Sequence, residues 1–157
     1  MPSSGKSTIG SNLADILNMN YIDTDNLILE SQKKDLRDIV SLYGHHEFLK
    51  IQEEVILQLD TVNSIIATGG SVIYGDAAMV HLKKDGVVIY LQLDFNSVNS
   101  RIKQGRRFAK NEEQSFIDMY HERVPLYERY SDIVIDCSGK DVKAIVKEII
   151  EKLQKCF

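Results

Sequence analysis

The chain has 157 residues, 43% of them hydrophobic and 27% charged, and its formal net charge is −4. That length fits one domain, 1–157, with a core that needs no staples. The acidic balance excludes a general nucleic-acid binder, which requires a broad basic face. Two cysteines, Cys137 and Cys156, make neither a disulfide framework nor a metal-ligand spacing, which fits a reducing cytoplasm. No apolar run reaches bilayer-spanning length and the N-terminus carries no signal-peptide pattern, so no membrane partner is expected.

The chain opens Met1-Pro2-Ser3-Ser4-Gly5-Lys6-Ser7-Thr8. This matches the phosphate loop G-x-x-x-x-G-K-[ST] from its second position onward. A glycine lets the backbone curl so that several N–H groups face one phosphate, and the helix N-terminus behind it adds partial positive charge. Lys6 would bring a full charge to the β- and γ-phosphates of ATP, and Ser7 a hydroxyl to Mg²⁺. Ser4 through Thr8 form the expected nucleotide-binding stretch, with Thr8 near the α-phosphate. The alternative is an exposed, flexible N-terminus. The first glycine of the motif and the strand that feeds it would lie ahead of Met1. The expectation is therefore a chain that starts late, with weak ATP binding and lowered stability if these residues stand alone.

Ile9, Leu13, Ile16 and Leu17 recur at helical spacing and predict an amphipathic helix straight after the loop. Residues 20–23, 64–68, 87–93 and 133–136 read as strands. The third, VVIYLQL, is nearly continuous and β-branched, as strands buried on both faces are. Leu36, Ile39, Val40 and Tyr43 mark a second helical face, and Phe48, Ile51, Val55 and Leu59 a third. Val142, Ile145, Val146, Ile149 and Leu153 mark the last, with Asp141 as its N-cap. Strands alternating with helices predict a parallel sheet with helices on both faces, and ligands gathered at the carboxyl ends of the strands.

Tyr21-Ile22-Asp23-Thr24-Asp25 puts two carboxylates at such an end. While the chain stays extended, alternation points both the same way. Asp23 is assigned to organising Mg²⁺ and Asp25 to orienting the acceptor hydroxyl or taking its proton. The structural alternative for Asp25 is helix capping.

With these residues in view, the chain resembles the shikimate kinases, P-loop small-metabolite kinases. Asp23-Thr24-Asp25 follows the loop helix at the family's distance, and residues 44–54, GHHEFLKIQEE, resemble its G-E-x-x-F-R-x-x-E segment. Ala67-Thr68-Gly69-Gly70-Ser71 resembles its T-G-G-G turn, and Arg123-Val124-Pro125-Leu126-Tyr127 its R-x-P-L-Y motif. The resemblance implies a three-layer α/β/α P-loop NTPase fold, nucleoside monophosphate kinase-like, that uses ATP and Mg²⁺ to phosphorylate shikimate as a cytoplasmic monomer. Asp25, Gly69, Gly70 and Arg123 would contact the acceptor, Arg101 would lie against the adenine, and Arg106 or Arg107 would reach the phosphate from a lid at about 104–114. A guanidinium suits a carboxylate, which it grips with two parallel hydrogen bonds.

The departures concern the acceptor half. Leu49 stands where the family carries Arg, Gln52 where it carries Glu, Ser71 where it carries a third glycine, and the lid reads Arg106-Arg107-Phe108 in place of Arg-Pro. They keep two other expectations open: a related kinase for a different alcohol, and a catalytically silent nucleotide-binding relative.

Overall fold

A computed structural model describes residues 1–102 and 114–156, and in it helices and strands alternate along the chain. Helix α1 (Lys6–Leu17) starts from Gly5, whose φ of 91° lies in the left-handed region. The buried stripe of α1 is Ile9, Gly10, Leu13 and Ala14, while Ile16 is 63% exposed. Periodicity alone predicts Ile16 and Leu17 on that stripe. The small residues take their place because the helix lies close on the strands behind it. A Cβ at Gly10 would stand 3.1 Å from the Tyr21 ring and 3.7 Å from the Ala67 Cβ.

Strand β1 (Asn20–Asp23) runs parallel to β2 (Ser64–Ala67), with Tyr21 opposite Ile65 and Asp23 opposite Ala67. Strand β3 (Ile89–Gln92) runs parallel to β4 (Ile133–Asp136), with Tyr90 opposite Val134. β2 and β3 are shorter than their apolar runs because each ladder ends where its four-residue partner ends. Parallel pairs joined through helices make the expected α/β architecture.

The two pairs share no ladder. Between β2 and β3 lies a cavity of about 250 Å³ lined by Ile65 and Ala67 on one side and Tyr90 and Leu91 on the other, with Leu13 and Ile149 among the side chains that close it. A central strand feeding the phosphate loop is expected in this place and does not occur among the described residues.

Helix α2 (Thr24–Gln32) packs on α3 (Leu36–Leu57), around Ile28, Ile39 and Phe48. Gly44, at φ 83° and ψ 170°, is non-helical and kinks α3 into two segments. After β2 come a 3-10 turn (Val72–Tyr74) and α4 (Asp76–Lys84), and after β3 comes α5 (Phe95–Arg101). Helix α6 (Phe116–Tyr130) precedes β4, and α7 (Val142–Cys156) ends the described chain. Ile145, Val146 and Ile149 of α7 are buried. The Asp141 carboxylate accepts from the Ala144 N–H at 2.8 Å, the cap that the spacing predicts. No helix among the described residues is long and apolar enough to cross a membrane.

Candidate active site

The carboxyl ends of β1 and β2 lie side by side, since the strands are parallel and in register. The segments leaving them, together with the loop before α1, enclose a polar cavity of about 660 Å³. Gly5, Lys6, Ser7 and Thr8 line it, as do Asp23, Asp25, Gly69, Gly70 and Arg123. Ser4 does not line it; it is 1% exposed and its hydroxyl donates to the Met1 carbonyl at 2.9 Å. Arg101, the last residue of α5, is exposed and lies outside the cavity lining. Arg106, Arg107 and the rest of the expected lid up to residue 113 lie outside the described residues.

The start of α1 borders the cavity, and the Gly5 N-cap makes no side-chain capping hydrogen bond there. Lys6 folds back over the loop, and its Nζ donates to the Met1 carbonyl at 2.7 Å. The Lys6 Nζ thus stands at the loop mouth, beside a helix N-terminus, which favours an anion.

Asp23 accepts three hydrogen bonds. Its Oδ1 takes the Asp25 N–H at 3.0 Å, which caps α2, and its Oδ2 takes the Ser7 hydroxyl at 2.9 Å and the Tyr21 phenol at 3.2 Å. Asp23 is therefore the helix cap, a role the sequence left open for Asp25. The chain turns helical at Thr24, so Asp25 reaches the cavity from the first turn of α2 and not by strand alternation. Partial burial, joined by the Asp23 charge and opposed by the Ser7 hydrogen bond, raises the Tyr21 phenol above its usual range.

Ser7 and Asp23 together offer two hard oxygen donors. Among the described residues no group of three or more His, Cys, Asp or Glu side chains is placed to hold a metal. A small divalent cation fits this arrangement if most of its shell comes from phosphate and water, as is usual for Mg²⁺.

On the other wall, the Gly69 N–H donates to the Thr24 hydroxyl at 3.2 Å and ties the turn after β2 to the start of α2. The Gly70 carbonyl accepts from the Tyr127 phenol at 2.6 Å, and burial, against the pull of Arg123, pushes that phenol up to about 12. Arg123 is 2% exposed. Its Nε donates to the Tyr74 oxygen at 3.2 Å, and its guanidinium stands 5.2 Å from the Tyr74 ring centroid. A buried cation is stable only when its donors are engaged, and Tyr74 supplies both an oxygen and a ring face.

Two contributors escape the sequence. Tyr74 comes from a 3-10 turn with no motif of its own and meets Arg123 only through the fold. Arg37, on the first turn of α3, lines the same cavity, although its neighbours in sequence mark only a helical face. The departures noted above also find their places. Leu49 packs against the Ile28, Ile39 and Phe48 cluster, and Lys50 pairs outward with Glu47 at 3.3 Å. Ser71 donates to the Gln52 carbonyl oxygen at 2.9 Å, and both residues are buried.

A sequence model of the shikimate kinase family matches residues 2–154. A shikimate kinase from Bacillus cereus (strain G9842) is 36% identical over 152 residues, covering 95% of this chain and 92% of that protein. One from Thermodesulfovibrio yellowstonii is 31% identical over 156 residues, covering 96% and 90%. The solved shikimate kinase from Aquifex aeolicus superposes with a TM-score of 0.83 at 26% identity, covering 98% of this chain and 92% of its own. That from Acinetobacter baumannii, solved in complex with shikimate, superposes with a TM-score of 0.88 at 22% identity, covering 98% and 88%. The phosphate loop, the Asp23–Ser7 junction and the buried Arg123 thus stand in a three-layer P-loop fold whose sequence matches one family from end to end: the chain belongs to the shikimate kinase family.

Proposed function

We propose that this chain transfers the γ-phosphate of ATP to a hydroxyl of shikimate. One observation carries this: residues as far apart in sequence as Lys6, Asp25, Gly70 and Arg123 line a single polar cavity at the strand ends. Lys6 and the α1 amides hold the β- and γ-phosphates, with Ser4, Gly5 and Thr8 shaping the loop around them. Ser7 and Asp23 would hold Mg²⁺, which would supply positive charge to offset that of the phosphates. Asp25 orients the acceptor hydroxyl and takes its proton as that oxygen bonds to the γ-phosphorus and the bond to the ADP oxygen breaks. Arg123 clamps the acceptor carboxylate, and the bare backbone of Gly69 and Gly70 lets the acceptor approach closely. Arg106 and Arg107 bring further positive charge, and Arg101 packs on the adenine. Catalysis is then chiefly positioning and electrostatics. The working unit is a cytoplasmic monomer, which sedimentation of the purified chain would test.

A panel of acceptors with coupled ADP detection tests the reading, and turnover on shikimate above all other alcohols is the expected result. A second reading, a kinase for another small alcohol, draws on Leu49, whose side chain packs into an apolar cluster at the position where the family motif G-E-x-x-F-R-x-x-E has its arginine. Turnover on another alcohol with none on shikimate would favour it.

A further inference from the structure

We infer that Gln52 is a positioning residue for Asp25, with its side-chain N–H aimed at the Asp25 carboxylate and its carbonyl anchored by Ser71. The inference rests on the proposal that Asp25 handles the acceptor hydroxyl.

Gln52 sits one helical turn after Phe48 on α3 and is 2% exposed. Its Oε1 accepts from the Ser71 hydroxyl at 2.9 Å. Its Nε2 is buried and has no hydrogen-bond partner among the described residues. An orphaned buried amide donor is costly, so a side chain kept in this state points to a partner that completes it.

Gly69 shows where that partner is. A Cβ built on Gly69 would lie 2.5 Å from the Gln52 Nε2 and 2.7 Å from the Asp25 Oδ1. Both polar atoms therefore crowd the one point that a side chain would fill, and glycine leaves that point open. The amide orientation follows from the same neighbours. Reversed, it would set the carbonyl oxygen against the Asp25 carboxylate, acceptor against acceptor, whereas the Ser71 hydroxyl can serve either end. Asp25 approaches this gap from the first turn of α2 and Gln52 from α3, and α2 and α3 pack together. In the working enzyme the N–H donates to the carboxylate. The donor then fixes which carboxylate oxygen faces the acceptor hydroxyl. Burying the Ser71 hydroxyl against Oε1 keeps the donor from turning away.

The test uses the full chain with Gln52→Met, which keeps volume and removes both polar ends, and Gln52→Glu, which keeps the shape and turns the donor into a carboxylate. Both are expected to lower kcat on the acceptor about tenfold or more, leave the ATP KM within about twofold, and retain cooperative thermal unfolding. Ser71→Ala is expected to fall between, and Ser71→Ala combined with Gln52→Met to be no worse than Gln52→Met alone. A Gln52→Met protein with wild-type kcat overturns the inference, since the amide then only fills space. If the wild type turns over no alcohol, the functional proposal fails. The positioning claim is still tested by the ¹³C carboxyl resonances: Asp25 is expected to move in Gln52→Met and Asp23 to stay. An unmoved Asp25 resonance overturns the claim. Should Gln52→Met not fold, the same two readouts on Gln52→Glu decide it.

Discussion

The Ser7 hydroxyl donates to the Asp23 carboxylate at 2.9 Å, joining the first turn of α1 to the end of β1 across 16 positions of chain. Two hard oxygen atoms are thereby brought together by the fold itself. Ser7→Ala and Asp23→Asn should each raise the Mg²⁺ concentration needed for half-maximal turnover, by about 10–100-fold, as loss of a metal-site partner typically does. A Mg²⁺ titration of activity at fixed ATP reads this. An unchanged midpoint in both variants would remove the pair from the metal site.

Lys6 is half-buried and held by a backbone carbonyl, so its loss should spare the fold. Lys6→Ala is expected to cut turnover by about 10²–10³ or more, the scale for removing one preorganised charge-stabilising donor. Circular dichroism checks that the chain still folds. Retained activity would contradict the donor-site assignment.

Arg123 is buried with Tyr74 as its support, so its replacements separate charge from geometry. Arg123→Lys keeps the charge but loses the planar fork and the contact with the Tyr74 ring. Both Arg123→Lys and Arg123→Ala should raise the acceptor KM far more than the ATP KM. Truncating a buried charged partner costs about 2–5 kcal/mol, roughly a factor of thirty to several thousand in affinity. Tyr74→Phe is expected to move the acceptor KM in the same direction by a smaller factor.

Asp132 joins three elements. Its carboxylate accepts from Lys83 of α4 at 2.6 Å and from the Val88 N–H ahead of β3 at 2.9 Å, just before β4 begins. Burial works to raise its pKa, but the Lys83 and Val88 bonds outweigh that and hold it below its ordinary value. A depressed folded-state pKa contributes stability that is complete above the unfolded value and lost as the pH falls through the folded one. Asp132→Asn should therefore cost about 1 kcal/mol near neutrality, discounted for its exposure. The difference from wild type should close as the pH drops below the ordinary aspartate range of about 3.9. Urea unfolding of both proteins across that range is the measurement.

β2 and β3 face each other across an apolar cavity without a shared ladder. Their facing edges carry backbone groups that a strand would pair, and their side chains border space that a strand would fill. An extended, alternating aliphatic segment ending in glycine, joined ahead of Met1, should raise both melting temperature and nucleotide affinity. Each aliphatic side chain it buries is worth about 1.5–3 kcal/mol before the ordering cost. An unchanged melting temperature would argue that the cavity does not receive a strand.

Much of this molecule is local in origin and so legible without coordinates. Gly5-Lys6-Ser7 is read from adjacent residues because a phosphate loop is one turn of chain. The four strands are found from short β-branched runs, and α7 from a clean helical repeat. α1 misleads at Ile16 and Leu17 because close packing on β2 favours small Gly10 and Ala14 over longer side chains, which periodicity does not weigh. The roles of Asp23 and Asp25 are only half legible. Two carboxylates at a strand end mark a site, but which one caps the helix depends on where the chain leaves the extended conformation.

By itself the sequence pointed to the parallel α/β architecture, to the phosphate loop with its lysine and serine and to the acidic pair at the end of β1, since each rests on spacing within a few turns of chain, and it pointed to the arginine of α6 through the family resemblance. Only the tertiary structure decided that Tyr74 supports Arg123, that Arg37 lines the polar cavity, that Ser71 bonds Gln52 while Gln52 and Asp25 both lie beside Gly69, and that β2 and β3 stand apart. Those are contacts between elements brought together by burial. Burial selects on the fit of surfaces, and a linear pattern records which face is apolar without recording what it will meet.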